Sequence, residues 1–115
     1  MTYQEVASMI ASIGLPYAYY QFPNSEGKEP PFICFYYPNS IDLIADDRNY
    51  SNIEALTIEL YSDEKDFEHE EAIEAILIAH DMPYSKTEAY IDSELMYMVT
   101  YNTSVLITHT PVISS

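Results

Sequence analysis

The densest run of ionisable side chains is Asp63-Glu64-Lys65-Asp66-Phe67-Glu68-His69-Glu70-Glu71, continued by Glu74. On a helix, Asp66, Glu70 and Glu74 are four apart and line one face, and His69 and His80, eleven apart, again share one face. The chemistry this suggests is metal ligation, with His69 and either Glu70 or Asp66 as part of a site. A catalytic metal needs about three convergent protein ligands, and the run does not supply a full set. A solvated acidic helix face, its first-turn acids favoured by the helix dipole, accounts for the run better. His80, near the C-terminal end, is likewise explained by the dipole or by partial burial.

Nucleophilic chemistry has less to build on. Cys34 sits between aromatic residues, with no basic residue nearer than Lys28 and Arg48. A reactive thiolate needs a positive or His-paired setting, whereas a Cys in an apolar strand packs as a small hydrophobe. There is no Gly-x-Ser-x-Gly, and two glycines in the whole chain exclude a glycine-rich phosphate loop. Asp46 and Asp47 are adjacent in a polar turn, which suits solvation rather than acid/base work. No catalytic residue, metal or cofactor is expected, and the chain does not read as an enzyme.

These side chains must be positioned by a small set of elements. Thr2 with Glu5 has capping-box spacing, Val6, Met9, Ile10 and Ile13 recur at helical spacing, and Gly14 can close the end, which predicts a helix over 3–13. Tyr17 to Phe22 and Phe32 to Tyr37 are aromatic β-prone runs, and the turn formers between them, Pro23 to Pro31, predict a hairpin loop. The second run is apolar on both alternating faces, as in a central strand or one covered by a partner. After a turn at Ala45 to Arg48, Leu56, Ile58 and Leu60 alternate with Ala55, Thr57, Glu59 and Tyr61, placing the aliphatic trio on the core face. Ser62 or Asp63 is expected to cap a second helix over about 64–80, with Phe67, Ile73, Ile76, Leu77 and His80 as its stripe. Tyr84 to Ile91 and Leu95 to Tyr101 form a hairpin around Asp92-Ser93-Glu94. In its second arm Leu95, Tyr97, Val99 and Tyr101 share one face and Met96, Met98 and Thr100 the other. Residues 1–101 thus read as one α+β domain, a mixed or antiparallel sheet of about five strands with two helices on one face. Residues 102–115 read as a C-terminal strand or extended arm.

The 115 residues suffice for one core, since 48% are hydrophobic, and the longest apolar runs fall far short of a membrane span. Nineteen acids against four bases give a formal net charge of -15. Such a surface repels phosphate, so ordinary nucleic-acid binding and anchoring on anionic lipid are excluded. One cysteine cannot form an internal disulfide, which suits a reducing compartment. Met1 to Glu5 has neither a basic nor an apolar signal region, so no secretory signal is expected there.

Twelve tyrosines and no tryptophan remain to be explained. Tyr joins a large ring to a polar tip at little rotamer cost and is common at interfaces, and every buried phenol needs a partner. Twelve are many to bury in one small core, so some are expected to face other subunits. The candidates are Tyr36, Tyr37, Tyr90, Met96, Tyr97, Met98 and Tyr101, on strands apolar on both sides.

Three segments now become informative together: Phe35-Tyr36-Tyr37-Pro38-Asn39-Ser40, Ile58-Glu59-Leu60-Tyr61-Ser62-Asp63-Glu64-Lys65-Asp66 and Glu88-Ala89-Tyr90-Ile91-Asp92-Ser93-Glu94-Leu95-Met96-Tyr97. In this order and spacing, over roughly residues 30 to 101, the chain resembles small tail-assembly proteins of long-tailed phages and prophages of Gram-positive bacteria. The likeness is to the tail terminator, or tail-completion, family. The resemblance implies a structural virion subunit, located in the tail or neck and in the host cytoplasm during assembly. It implies a hexameric homo-oligomeric ring at the head-proximal end of the tail tube, touching the major tail tube protein and the head-closure or connector protein. DNA would pass through such a ring without specific binding, and no membrane is involved. An acidic lumen would repel phosphate, and either Asp63, Glu64, Asp66, Glu70, Glu71 and Glu74 or the Asn24 to Glu29 loop could line it. Residues after Asn102 exceed the family pattern, and their β-branched content suits an arm added to a neighbour's sheet edge.

A competing reading is an acidic DNA mimic that blocks a host DNA-binding enzyme. A mimic spaces its acids along one exposed face, whereas here Asp63 to Glu74 holds seven of the nineteen and the rest are scattered. A small metal-dependent hydrolase is a third reading, and it would require metal retained through His69.

Overall fold

A computed structural model describes residues 1–21, 29–41 and 51–108. The Asn24 to Glu29 loop but for Glu29, the turn at Ala45 to Arg48 and residues 109–115 therefore lie outside the described residues. The elements run α1 (Tyr3–Ala11), β1 (Tyr17–Tyr19), β2 (Phe32–Tyr36), β3 (Ser40–Ile41), β4 (Ser51–Ser62), α2 (Phe67–Ala79), β5 (Ser85–Ile91) and β6 (Met96–Thr108). Five strands follow one path in the order β1-β2-β4-β6-β5, and the short β3 pairs with β4 beside β2. The result is an open, mixed sheet with two helices, an α+β fold.

Alternation along β4 and β6 divides the sheet into two faces. In register, Leu60 lies opposite Val99, Ile58 opposite Tyr101 and Leu56 opposite Thr103, while Ile33 and Phe35 of β2 meet Leu60 and Ile58. All but the polar Thr103 form one buried cluster with Val6, Met9 and Ile10 of α1 and Ile73 and Leu77 of α2. Both helices thus pack on the same face, and the aliphatic trio of β4 points at them as the alternation requires. Each of Leu56, Ile58 and Leu60 is at most 1% exposed, and burial of each contributes about 1.5–3 kcal/mol.

Helix α1 starts where its capping box places it. Thr2 Oγ1 accepts from the Glu5 N–H at 3.1 Å, and the Glu5 carboxylate accepts from the Thr2 N–H at 2.8 Å. It ends two residues short of the expected Ile13, because the last turn tightens, with Ile13 N–H bonded to Ile10 and Gly14 N–H to Ala11. Gly14 then takes a left-handed φ of 91°, a conformation costly for other residues.

Helix α2 is capped by Asp66, not by Ser62 or Asp63. Strand β4 continues to Ser62, which pairs with Tyr97, so the helix cannot begin until Asp66 accepts from the His69 N–H at 3.0 Å. The helix closes in a Schellman pattern, Met82 N–H to Leu77 and Asp81 N–H to Ile78, with Asp81 left-handed and Met82 buried. Two members of the expected stripe turn outward: Phe67 is 65% exposed and His80 is also exposed, since both sit at the helix ends beyond the sheet contact.

Three further expectations change. β1 and β2 pair in parallel, with Tyr17 opposite Ile33 and Tyr19 opposite Phe35, rather than as a hairpin. Alternation is the same for either direction, so residue spacing does not distinguish them, and a connection of this length can return the chain to the same end. The second arm of the C-terminal hairpin starts at Met96, not Leu95, which lies in the turn with φ 53° and 69% exposure. That arm does not stop at Tyr101. β6 runs on to Thr108, pairing with β4 as far as Ser51, so residues 102–108 belong to the sheet.

Candidate functional site

The sheet face opposite the helices carries the surface of interest. Registers align Phe32 of β2, Tyr61 of β4, Met98 of β6 and Ala89 of β5 in one row across four strands. Ile91 and Met96 are paired at its β5–β6 end. The rings of Phe32 and Tyr61 stack with centroids 4.9 Å apart. Neither helix lies over this row, and Phe32, Tyr61, Met96 and Met98 are only half-buried. An apolar row that neither helix covers is the kind of surface that buries well against another subunit.

The next row is polar and internally satisfied. Glu59 accepts from Tyr61 Oη at 2.9 Å and from Tyr36 Oη at 3.3 Å, and Thr57 Oγ1 donates to Asn102 at 2.9 Å. Burial first, and then the Glu59 carboxylate, push both phenols above the ordinary tyrosine value. Cys34 lies beside them, 4% exposed, its thiol pushed up to about 11 by burial and by Glu59. A thiol so raised is a packing group rather than a nucleophile.

The interface candidates separate. Met96 and Met98 are on the uncovered face, and Tyr36 joins them, its ring 5.0 Å from that of Tyr20. Tyr90 and Tyr97 lie on the helix side of β5 and β6 in an edge-to-face pair 4.9 Å apart, with Tyr90 46% exposed. Tyr37 packs beside the core, its phenol pushed up to about 12 by burial and the neighbouring tyrosines. Tyr101 is not a surface residue: it is fully buried, and its hydroxyl donates to Glu74 Oε2 at 2.7 Å. Its side chain shares the face of Ile58, its register partner on β4, and its phenol finds a partner in a helix acid instead of another subunit.

The acid run also divides. Asp63, Glu64 and Glu71 are exposed, and Asp66 is the α2 cap, its second oxygen 2.6 Å from His69 Nδ1. Glu70 and Glu74, expected on a solvated face, turn inward. Glu70 is 2% exposed, with Lys65 Nζ at 2.5 Å and Lys86 Nζ at 2.8 Å. Both contacts are charge-assisted, and with the other acids around them they hold the two lysines above the ordinary lysine value. Lys65 also pairs with Glu88, and Lys86 with Glu74 at 2.7 Å. Burial pushes the Glu74 carboxyl up, but hydrogen bonds from Lys86 and Tyr101 outweigh it and leave the group below its ordinary value. The spacing Glu70, Ile73, Glu74, Leu77 is one helical stripe, and both lysines point at it. That stripe, with Lys65 and Lys86 as rare cations in an acidic chain, was the available signal.

His80 is exposed and its Nδ1 is 2.9 Å from the Ile76 carbonyl. Among the described residues no group of three or more His, Cys, Asp or Glu side chains is arranged to hold a metal ion. No helix among them is long and apolar enough to cross a membrane. The chain matches no protein-family model and no curated protein.

Proposed function

We propose that this chain is a structural, non-catalytic assembly subunit, a tail terminator that forms a ring at the head-proximal end of a phage tail tube. The observation that carries this reading is the row Phe32, Tyr61, Met98 and Ala89 on a sheet face neither helix covers. A second copy can bury such a row without bringing charge into the contact. The exposed acids Asp63, Glu64 and Glu71 supply a surface that repels DNA phosphate, as a passage for DNA requires. The inward turn of Glu70 and Glu74 and the burial of Glu54 leave fewer free carboxylates for imitating a phosphate backbone, which weighs against a DNA mimic.

The experiment is co-assembly with the major tail tube protein encoded in the same genome, viewed by electron microscopy. Rings at one end of the tubes, with tube growth arrested, are expected. Tubes of unchanged length with bare ends would overturn the reading.

A further inference from the structure

A second feature stands apart from the ring reading. Tyr3 of α1, Tyr19 of β1, and Phe35 and Tyr37 on and just after β2 line a cleft of about 390 Å³. The volume falls in the lower part of the roughly 300–1,000 Å³ range of ligand pockets. Its rings present both faces and edges: Tyr3 and Tyr37 meet edge-on at 5.1 Å, Tyr19 and Phe35 edge-on at 5.4 Å, and Tyr19 and Tyr37 at 5.9 Å with a tilt of 32°. The cleft opens to solvent, since Tyr3 is 43% and Tyr19 52% exposed.

Behind this wall sits a buried carboxylate. Tyr3 Oη donates to Glu54 Oε1 at 3.3 Å, and the same oxygen accepts from Ser40 Oγ at 2.7 Å and Asn52 Nδ2 at 2.5 Å. Glu54 is 7% exposed and, among the described residues, no lysine or arginine pairs with it. A phenol donating to a carboxylate gains electron density in its ring, and a ring face attracts a cation through its quadrupole. Tyr37 Oη is buried and, among the described residues, has no hydrogen-bond partner.

We propose that this cleft is an aromatic cage for a cationic side chain, an arginine or lysine presented by a basic segment of a partner protein. Charge complementarity selects the occupant. Nineteen acids against four bases give each chain a net charge of -15, so a second copy is repelled while a basic segment of another protein is attracted. Arginine fits best, because its planar guanidinium stacks on rings and donates in several directions.

The test titrates the full chain with a short arginine-glycine repeat peptide, following tyrosine ring resonances by NMR. The same peptide with citrulline in place of arginine serves as a near-isosteric neutral control. The rings of Tyr3, Tyr19 and Tyr37 are expected to shift, and the citrulline peptide to bind about tenfold more weakly. Tyr19→Leu should weaken arginine-peptide binding by a similar factor and Tyr19→Phe should retain it; circular dichroism checks that both variants fold. Equal binding of the two peptides would show a merely apolar groove. Shifts confined to the acidic residues of α2 and lost at high salt would show diffuse attraction. Either result overturns the proposal.

Discussion

Lys86 Nζ lies 2.8 Å from Glu70 Oε1, tying the edge strand β5 to a carboxylate that α2 buries almost completely. Lys65 approaches the other oxygen of Glu70 from the turn before the helix, at 2.5 Å. A helix acid that the periodicity assigns to solvent is thus the centre of a charge network between helix and sheet. Such a pair fixes how α2 sits on β5 and β6, and its removal is asymmetric in cost.

Lys86→Met leaves Glu70 with Lys65 alone and is expected to destabilise the fold by about 1.5–3 kcal/mol, the range for losing a hydrogen bond to a charged group. Glu70→Leu removes the buried charge itself, and both lysines can turn to water, so a loss of under about 1.5 kcal/mol is expected. Urea unfolding of the two variants checks the order; a larger loss for Glu70→Leu would contradict it.

The Glu74 carboxyl is held below its ordinary value of 4.5 because Lys86 and Tyr101 together outweigh its burial. A carboxyl lowered in the folded state contributes stability above 4.5 that is lost as pH falls through the folded-state value. Glu74→Gln should therefore be less stable than the parent at neutral pH and show a shallower loss of stability below 4.5. Unfolding midpoints measured across that window, with identical slopes for the two proteins, would remove Glu74 from the account.

Thr2 and Glu5 close the start of α1 by reciprocal hydrogen bonds at 3.1 and 2.8 Å. Thr2→Ala is expected to cost about 1 kcal/mol. Thermal melts monitored by circular dichroism measure it, and Thr2→Ser should recover most of the loss.

Met98 is half-buried at the centre of the uncovered apolar row, between Tyr61 and Ala89. Met98→Glu leaves the helix-side core untouched and places a charge where a neighbour is expected to pack. Its far-UV spectrum should match the parent while its assembly is lost, as sedimentation velocity would record. Assembly at parental levels would move the interface elsewhere.

How much of this was legible depended on which signal each feature left. Period-two alternation placed Leu56, Ile58 and Leu60 on the core face, and the split between Tyr97 and Tyr101 on one side and Met96 and Met98 on the other followed from the same rule. Strand direction leaves no such trace, which is why the parallel pairing of Tyr17 with Ile33 read as a hairpin. The ends of β4 and β6 were hidden because polar residues such as Ser62, Asn102 and Ser104 still pair through their backbones. Glu70 was misplaced because charge suggests water, although its spacing with Ile73 and Leu77 puts it on the buried stripe; its partner Lys86 lies on β5, which only the fold brings near. The aromatic cleft joins residues from the first helix and two strands, and only the packed fold assembles it.

On the proposed function, the sheet face that neither helix covers joins copies of this chain into a closed ring. Native mass spectrometry of the purified chain over a rising concentration series, with electron microscopy of the same samples, tests it most directly. A discrete multiple of the 13.2 kDa subunit, six on the resemblance to tail terminators, seen as a ring with a central opening, is the expected result. A monomer persisting through the series, with no ring in any image, would contradict it.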